Sequence, residues 1–315
     1  IMATIYGMYA MRQGEAGVSW PASGLTFPNI RNGNGVQVAY AANVFREVIC
    51  SMGSVKANYV VGFTSSATLP VCLILGGVNI AILESTILAG LTSNPANAQV
   101  INHTFGYAVA RWEIEVTPTT VTVWRNGVNL GAFTINSTPS GIAKVPRVWY
   151  ATGSNTFFNY TQAACDVTIS DVRLGDVHVA YLLPNGNGAS SEWLGSDGNS
   201  TNNYQLVDEH PASATDYVGT GTAGKKDSYQ MSNLPAAAAS VLAVQPLVFA
   251  FKSDAGVEPS VSYVLRESGG TEATGALAGI GTTMAGISSS IHHTKPSGGA
   301  WSVSDVNSME AGITT

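Results

Sequence analysis

Two glutamates are the residues best spaced for acid and base chemistry. Glu113 and Glu115 lie two positions apart in an alternating segment, so both side chains project from one face of a strand. Two carboxyl groups about 5 Å apart can act as nucleophile and acid in sugar hydrolysis. Arg111 shares their face, however, and the compact three-acid strand motif of such glucanases is missing. The pattern favours a solvated outer face, so we predict no catalytic residue and a protein that is not an enzyme.

Residues 219–225, GTGTAGK, have the spacing of a phosphate-binding loop. Such a loop requires a buried strand before it and a helix after it, so that backbone amides converge on the anion. Lys226 stands where magnesium binding requires Ser or Thr, and the chain reaches Pro235 without an amphipathic helical pattern. We therefore predict a surface loop, with no nucleotide and no other cofactor.

The remaining polar clusters also lack the spacing of a site. Residues 208–210, Asp-Glu-His, point in alternating directions on an extended chain and have no nucleophile motif nearby. Residues 197–203 carry one carboxylate, and they lack both glycine at the sixth position and the distal glutamate of a calcium loop. His292 and His293 are adjacent, which sends them to opposite faces of a strand. We predict a loop, a turn and no metal site.

Four aromatic residues are candidates for contact with a sugar or with a partner subunit. Aromatic side chains stack on flat apolar surfaces and are enriched at interfaces. In β domains they pack in the core or in an interface more often than they bind glycan, so packing is the favoured interpretation. The four residues are Trp124, Trp149, Tyr150 and Trp193.

Composition and charge restrict the class of protein. Charged residues make up 11% of the 315, well below the average of about 25%, whereas 34 Gly and 13 Pro supply many turns. This balance is typical of short strands joined by turns. The net charge of −6, with Lys and Arg scattered singly, excludes a phosphate-neutralising stripe and so argues against nucleic acid.

Cysteines and apolar segments give expectations about compartment. Cys50, Cys72 and Cys165 are an odd number without a CxxC pair, and we expect buried reduced thiols, which suit a reducing cytoplasm. The first residues lack a secretion signal pattern. Residues 69–83 and 234–251 are apolar, but Gly and Pro interrupt them. The first segment predicts two short strands joined at Gly76-Gly77, and no membrane insertion is expected.

Alternation of apolar and polar residues predicts the strands around the two glutamates. A strand over 108–116 is followed by a turn at 117–119 and by a second strand. Asn126-Gly127 is the preferred pair for a type I′ hairpin turn into a third strand. Cys165, Val167 and Ile169 alternate in a closing strand, which we expect to continue through Asp176.

The second half of the chain has weaker patterns. Alternation over 177–183 predicts a strand, residues 184–188 predict a turn, and the polar segment 190–232 predicts surface turns. Two more strands are predicted around Phe249 and around Tyr263. Finally, Asp305 can cap a short helical turn that runs through Met309 and ends by Gly312.

Several of these segments resemble known families. RWEIEVTPTTVTVWRNGVNLGAF (111–133) and VTISDVRLGD (167–176) resemble concanavalin A-like, laminin-G-like jelly rolls. The second half resembles a two-domain virion protein of tailed bacteriophages and prophages. The segments that carry this second resemblance are LGDVHVAYLLPNGNGASSEW (174–193), VDEHPASATDYVGTGTAGKKDSYQMSNLP (207–235), KSDAG (252–256) and GGAWSVSDVNSMEAG (298–312).

The resemblance implies an all-β protein with a concanavalin A-like jelly-roll sandwich at 1–175 and a smaller β-sandwich domain at 176–315, used for virion attachment or oligomerisation. It implies a virion surface protein made in the bacterial cytoplasm, with other virion proteins, of the capsid or of the tail, as partners. Our first hypothesis for its role is capsid decoration or a head fibre, which stabilises the particle or presents an adhesive, lectin-like face. We expect a homo-oligomer, with a trimer as the first choice. The alternatives are a tail fibre or receptor-binding protein that recognises host surface glycan and, less favoured, a glycan depolymerase.

Overall fold

The chain forms two compact units, which we call the N-terminal unit (Ile1–Val179) and the C-terminal unit (Ala180–Thr315). The predicted domain boundary after residue 175 lies within a few residues of this division. The computed structural model describes residues 3, 5–9, 18–19, 25–26, 36–38, 46–51, 58–65, 71–75, 78–82, 86–91, 94–104, 109–135, 142–148, 162–254, 256 and 259–315.

Two antiparallel sheets build the N-terminal unit. One has the order β13-β12-β11-β6-β15-β4-β3, with β1 also paired to β15, and the other has the order β10-β9-β8-β7-β14-β5-β2. The strands are β1 (Ile5–Tyr9), β2 (Val18–Ser19), β3 (Leu25–Thr26), β4 (Val36–Val38), β5 (Arg46–Ser51), β6 (Tyr59–Ser65), β7 (Val71–Leu75), β8 (Val78–Ile82), β9 (Thr86–Leu91), β10 (Asn94–Asn102), β11 (Ala110–Val116), β12 (Thr120–Arg125), β13 (Val128–Thr134), β14 (Ile142–Val148) and β15 (Gln162–Ser170).

The two sheets enclose one apolar core. Alternate residues of β11, including Trp112 and Ile114, are buried together with Ile80 of β8 and Ile87 of β9 from the other sheet. Because each strand sends every second side chain inward, apolar residues at period two are sufficient to fill the space between the sheets. This arrangement confirms the predicted all-β sandwich.

The predicted hairpins of this unit are confirmed. Asn126 and Gly127 both have positive φ, 47° and 80°, as a type I′ turn requires. The Thr117 amide donates to the Thr120 carbonyl and closes the turn before β12. The bounds of β7 and β8 leave only Gly76 and Gly77 between them, as predicted.

A six-stranded sheet in the order β16-β19-β25-β21-β22 is the centre of the C-terminal unit, with β23 also paired to β21. Two ribbons, β17-β18 and β20-β24, accompany it. The elements are β16 (Pro184–Ser191), β17 (Leu194–Gly195), a 3₁₀ turn (Asn203–Leu206), β18 (Val218–Gly219), β19 (Lys226–Met231), β20 (Leu247–Ala250), β21 (Ser260–Arg266), β22 (Glu272–Thr274), β23 (Ala278–Gly279), β24 (Ala285–Ser288), α1 (Val303–Asn307) and β25 (Glu310–Thr314).

The strands predicted around Phe249 and Tyr263 are confirmed as β20 and β21. Leu265 of β21 is fully buried and packs with Trp301 and Met309. Among the described residues, no helix has the length and apolar character that crossing a membrane requires.

Four predictions for residues 171–232 are wrong. Residues 177–183 form no strand, and β15 ends at Ser170 instead of continuing to Asp176. Residues 184–188, predicted as a turn, lie in β16, because this glycine-rich segment pairs with β19 across two register shifts. Residues 190–232, predicted as surface turns, contain β19, which lies inside the central sheet between β16 and β25.

The predicted C-terminal helical turn exists, but its cap is different. Ser302, and not Asp305, is the N-cap of α1. Asp305 is the third helical residue, and its side chain completes a capping box with Ser302. The Asp305 carboxylate accepts from the Ser302 amide and hydroxyl, at 2.9 and 2.6 Å. Gly312, predicted as a terminator, lies within β25 because the chain turns directly back into the central sheet.

We predict that the capping box makes stability pH-dependent. Hydrogen bonds from Ser302 lower the pKa of Asp305 from 3.8 to about 2. A depressed carboxyl pKa contributes stability above its unfolded value, and this contribution is lost as pH falls from about 4 through 2. Wild-type protein should therefore lose more melting temperature over this interval than Asp305→Asn, as measured by circular dichroism. Ser302→Ala removes a donor that lowers this pKa, so its melting temperature should also fall less over this interval than that of the wild type. Equal slopes for all three proteins would contradict the prediction.

Candidate functional site

The face predicted to be solvated is covered by the chain. Arg111 and Glu113 project from the outer face of β11 and are only 4% and 2% exposed. The segment that covers them, residues 171–179, follows β15 and is called the covering segment below. The prediction of a solvated face is therefore wrong for these two residues, because a segment about sixty positions later in the chain folds over them.

Glu113 holds the covering segment through its backbone. The Glu113 Oε1 atom accepts hydrogen bonds from the amides of Leu174 and Gly175, at 2.6 and 2.9 Å. Glu115, two residues on, is half-buried. The two glutamates thus have different surroundings, and the one that is buried is already occupied by backbone donors.

Arg111 lies under the same segment and binds main-chain oxygens. Its Nη1 atom donates to the Asp166 carbonyl at 2.6 Å, and its Nε atom donates to the Gly175 carbonyl at 3.2 Å. Nη2 donates to Thr168 Oγ1 at 2.6 Å. Gly62 makes room for this guanidinium, because a Cβ at that position would lie 2.2 Å from Nη2.

An acid and an imidazole complete this group. Asp166 is fully buried and has a left-handed φ of 50° at a register shift in β15. Its Oδ2 atom lies 3.0 Å from Nδ1 of His178, and its Oδ1 atom accepts from the Val179 amide at 3.3 Å. The sequence prediction missed Asp166 and His178; a lone aspartate among Cys165, Val167 and Ile169 was the available signal.

Trp124, one of the four proposed aromatic contacts, pairs with Glu113 across β11 and β12 and so lies on this face. The Arg173 guanidinium lies 3.6 Å from its ring centroid, a cation–π contact. One face of the indole is therefore occupied by the covering segment. Trp149 and Tyr150 lie outside the described residues, and their predicted role stays a prediction.

Trp193 lies in a different place, the core of the C-terminal unit. It is 6% exposed and packs with Val261 and Ile280. Its carbonyl accepts from Asn203 Nδ2 at 3.0 Å, which ties it to the 3₁₀ turn. This placement agrees with packing, the favoured interpretation of the sequence, and a glycan or subunit contact at Trp193 stays a prediction.

A buried carboxylate lies beside Trp193. Asp227 is fully buried on β19; its Oδ2 atom accepts from Asn203 Nδ2 at 2.7 Å and from the Tyr229 hydroxyl at 2.8 Å. Burial and this carboxylate raise the pKa of Tyr229, which stays protonated and can donate. Asp227 is thereby satisfied within the chain and serves to join the 3₁₀ turn to the central sheet.

The loop-like motifs are loops, as predicted. The segment 219–225 leads into strand β19 instead of a helix, and residues 208–210 lie outside regular structure. Asp197 accepts from the Asn199 amide and side chain, which closes the predicted turn. In the described ranges, no group of three or more His, Cys, Asp or Glu side chains is arranged to hold a metal ion.

One of the three cysteines lies in the core, and the reduced state of the thiols stays a prediction. Cys165 is fully buried on β15. The side chains of Cys50 and Cys72 lie outside the described residues. Cys165 behaves as a small core hydrophobe.

Comparisons with known proteins give structural similarities only. No family model matches the chain, and no curated protein matches it in sequence. The chain is similar to the botulinum neurotoxin serotype D binding domain (TM-score 0.37, 12% identity, 55% of this chain and 48% of that chain), so it spans about half of that domain.

Two further similarities are of the same order. One is to botulinum neurotoxin type C, whose cell entry depends upon interaction with two ganglioside molecules (TM-score 0.39, 11% identity, 87% of this chain and 78% of that chain). The other is to the apo Crh5 transglycosylase (TM-score 0.40, 10% identity, 55% and 90%). At these TM-scores the sandwich assignment rests on the chain's own sheets and core.

Proposed function

We propose that this chain is a non-enzymatic surface protein of a tailed-phage particle, of capsid-decoration or head-fibre type. It is made in the bacterial cytoplasm, self-associates, with a trimer as the expected state, and binds other virion proteins. In this role it stabilises the particle or presents an adhesive face.

The observation that carries the proposal concerns the segments that resemble phage virion proteins. They contribute β16, β19, α1 and the first residues of β25, which are neighbours in one compact unit. Glu310 of the last segment accepts from the Ala189 amide of the first and from Ser228 of the second, both at 2.8 Å. The resemblance is therefore spread over the interacting parts of a folded module, which supports a relationship between modules.

The state of the glutamates supports a binding role over an enzymatic one. A catalytic carboxylate must be able to reach substrate, whereas Glu113 Oε1 is bound by two amides beneath the covering segment. The low charge of the chain also suits a protein that buries neutral surface against neighbours.

The decisive experiment is to count copies of the chain in purified virions by quantitative mass spectrometry, with the major capsid protein as internal standard. A number comparable to the capsid protein or to its local three-fold sites supports decoration or a head fibre. A small number that matches tail symmetry indicates a tail adhesin instead and would direct work to host glycans. Absence from virions overturns the proposal.

A second prediction separates binding from hydrolysis. Wild-type protein should release no reducing sugar from host surface glycan, and Glu113→Gln and Glu115→Gln should not change this result. A reducing-end assay against a known depolymerase as positive control measures it. Sugar release that disappears in either variant would establish the depolymerase alternative.

A further inference from the structure

Two sheet edges of the N-terminal unit lie side by side. β13 is an edge of one sheet and β10 an edge of the other, with seven and nine residues. Ile101 of β10 lies against Gly131 of β13, where a Cβ would be 3.0 Å from its Cδ1 atom. A long edge strand presents backbone N–H and C=O groups with which a strand of another chain can pair. Such an edge directs assembly unless the protein blocks it.

The side-chain amide of Gln99 occupies the outer edge of β13 at Thr134. The Gln99 Nε2 atom donates to the Thr134 carbonyl at 2.7 Å, and the Oε1 atom accepts from the Thr134 amide at 3.2 Å. In an antiparallel ladder, the two residues of a hydrogen-bonded pair exchange the same two bonds through their backbones. Gln99 thus takes the place of one residue of an additional strand.

The register of β10 directs Gln99 toward this position. The ladder between β9 and β10 is irregular from Asn94 to Gln99 and regular from Gln99 to Asn102. Because alternate residues of a strand share a face, Gln99 projects on the same side as Ile101, which packs against the core between the sheets. Val100 projects on the opposite side and is 54% exposed. The strand that supplies the core contact therefore also supplies the amide at the edge.

β13 is irregular on one side of this contact only. Gly131 has a φ of 134° at the register shift between β12 and β13, and its amide donates to Asn129 Oδ1 at 2.8 Å. Bulges of this kind bend an edge strand and disturb its pairing. The pairs of β12 with residues 132–134 are regular, however. The regular part of the edge, which could accept a strand, is therefore the part that Gln99 covers.

We propose that residues 132–134 of β13 form a latent site for strand addition, which Gln99 keeps closed. The ligand class is an extended segment that offers backbone N–H and C=O groups, and in purified protein this segment is β13 of a second copy. Two β13 edges related by a two-fold axis run antiparallel and present the same groups to each other, so they can exchange hydrogen bonds. By binding Thr134 within its own chain, Gln99 confines self-association to other surfaces.

Gln99→Ala tests this closure. The variant should form assemblies larger than those of the wild type, with association strengthened by about 10-fold, because a competing strand no longer has to displace two hydrogen bonds. Size-exclusion chromatography with light scattering over a dilution series measures this difference. The matched control is Gln205→Ala, at another exposed glutamine, whose side chain donates to the Tyr204 hydroxyl. Its assembly should equal that of the wild type.

A second substitution shows whether β13 is the edge that pairs. Ala132 lies two residues before Thr134 in the regular ladder, so its amide also points away from β12. Adding Ala132→Pro to Gln99→Ala removes this donor and should return the assembly to wild-type size. If the proline variant does not fold, Ala132→Lys places a charge on the same edge and should have the same effect. The Thr134 amide should exchange hydrogen faster in dilute Gln99→Ala protein and slower after assembly.

The melting temperature and hydrogen exchange of β11 distinguish edge pairing from unfolding. Substitution of an exposed glutamine should change stability little, so Gln99→Ala should stay folded. Four results each overturn the inference: folded Gln99→Ala of wild-type size, equal growth with and without the Ala132 substitution, growth of Gln205→Ala, or growth with loss of protection in β11. All four are measured on purified protein, so failure of this edge contact is distinguishable from absence of the chain from virions.

Discussion

Glu113→Ala is expected to lower the free energy of unfolding of the N-terminal unit by about 2–4 kcal/mol. The Glu113 carboxylate is 2% exposed, and its Oε1 atom is the acceptor for two backbone amides. Alanine leaves both amides without this partner in a partly buried position. It also removes one of the charges buried beside Arg111, whose guanidinium stays in place on carbonyl oxygens.

Two variants make this result specific. Glu113→Gln keeps an oxygen acceptor and should cost less than half as much as alanine. Glu115 lies on the same strand face, is half-buried and accepts no hydrogen bond from the described residues. The free energy of unfolding of Glu115→Ala should therefore stay within about 0.5 kcal/mol of that of the wild type. Urea unfolding with hydrogen exchange, which reports peptides of each unit separately, measures all three. Equal costs at Glu113 and Glu115 would show that the covering segment does not depend on this carboxylate.

Period-two alternation predicts the strands of the N-terminal unit because local sequence and burial agree there. In β11, Trp112 and Ile114 face the core, as the pattern requires. The pattern says nothing about what lies on the opposite face. The covering segment is brought over Arg111 and Glu113 by tertiary contacts across about sixty residues, so the sequence indicates a polar face and wrongly predicts water over it.

The C-terminal unit shows the limit of turn signals. Residues 184–191, PNGNGASS, have the composition of a loop, yet they form an edge strand because β19 offers a partner. Conversely, residues 177–183 alternate like a strand but form no ladder. The Val179 amide donates to Asp166 instead, and the amide and carbonyl of Leu183 bind Ser232. Pairing partners decide both cases, and no local pattern encodes them.

The same dependence on tertiary partners applies to Trp193, where we expect Trp193→Ala to destabilise the C-terminal unit by about 3–5 kcal/mol. The indole packs against Val261 and Ile280, and removing it leaves a large cavity that the surrounding residues can only partly close. The residue's carbonyl anchors Asn203, which in turn donates to the buried Asp227. Loss of packing should therefore loosen the 3₁₀ turn as well.

The neighbouring residue supplies the control for this prediction. Leu194 is 58% exposed, so Leu194→Ala should change the free energy of unfolding by no more than about 0.5 kcal/mol. Trp193→Phe, which keeps a ring in the core, should cost less than alanine. Denaturant melts and hydrogen exchange of residues 180–315 measure the three variants. If Trp193→Ala left stability intact but reduced binding to virions or glycan, the indole would be a contact residue after all, and its burial would have to open when a partner binds.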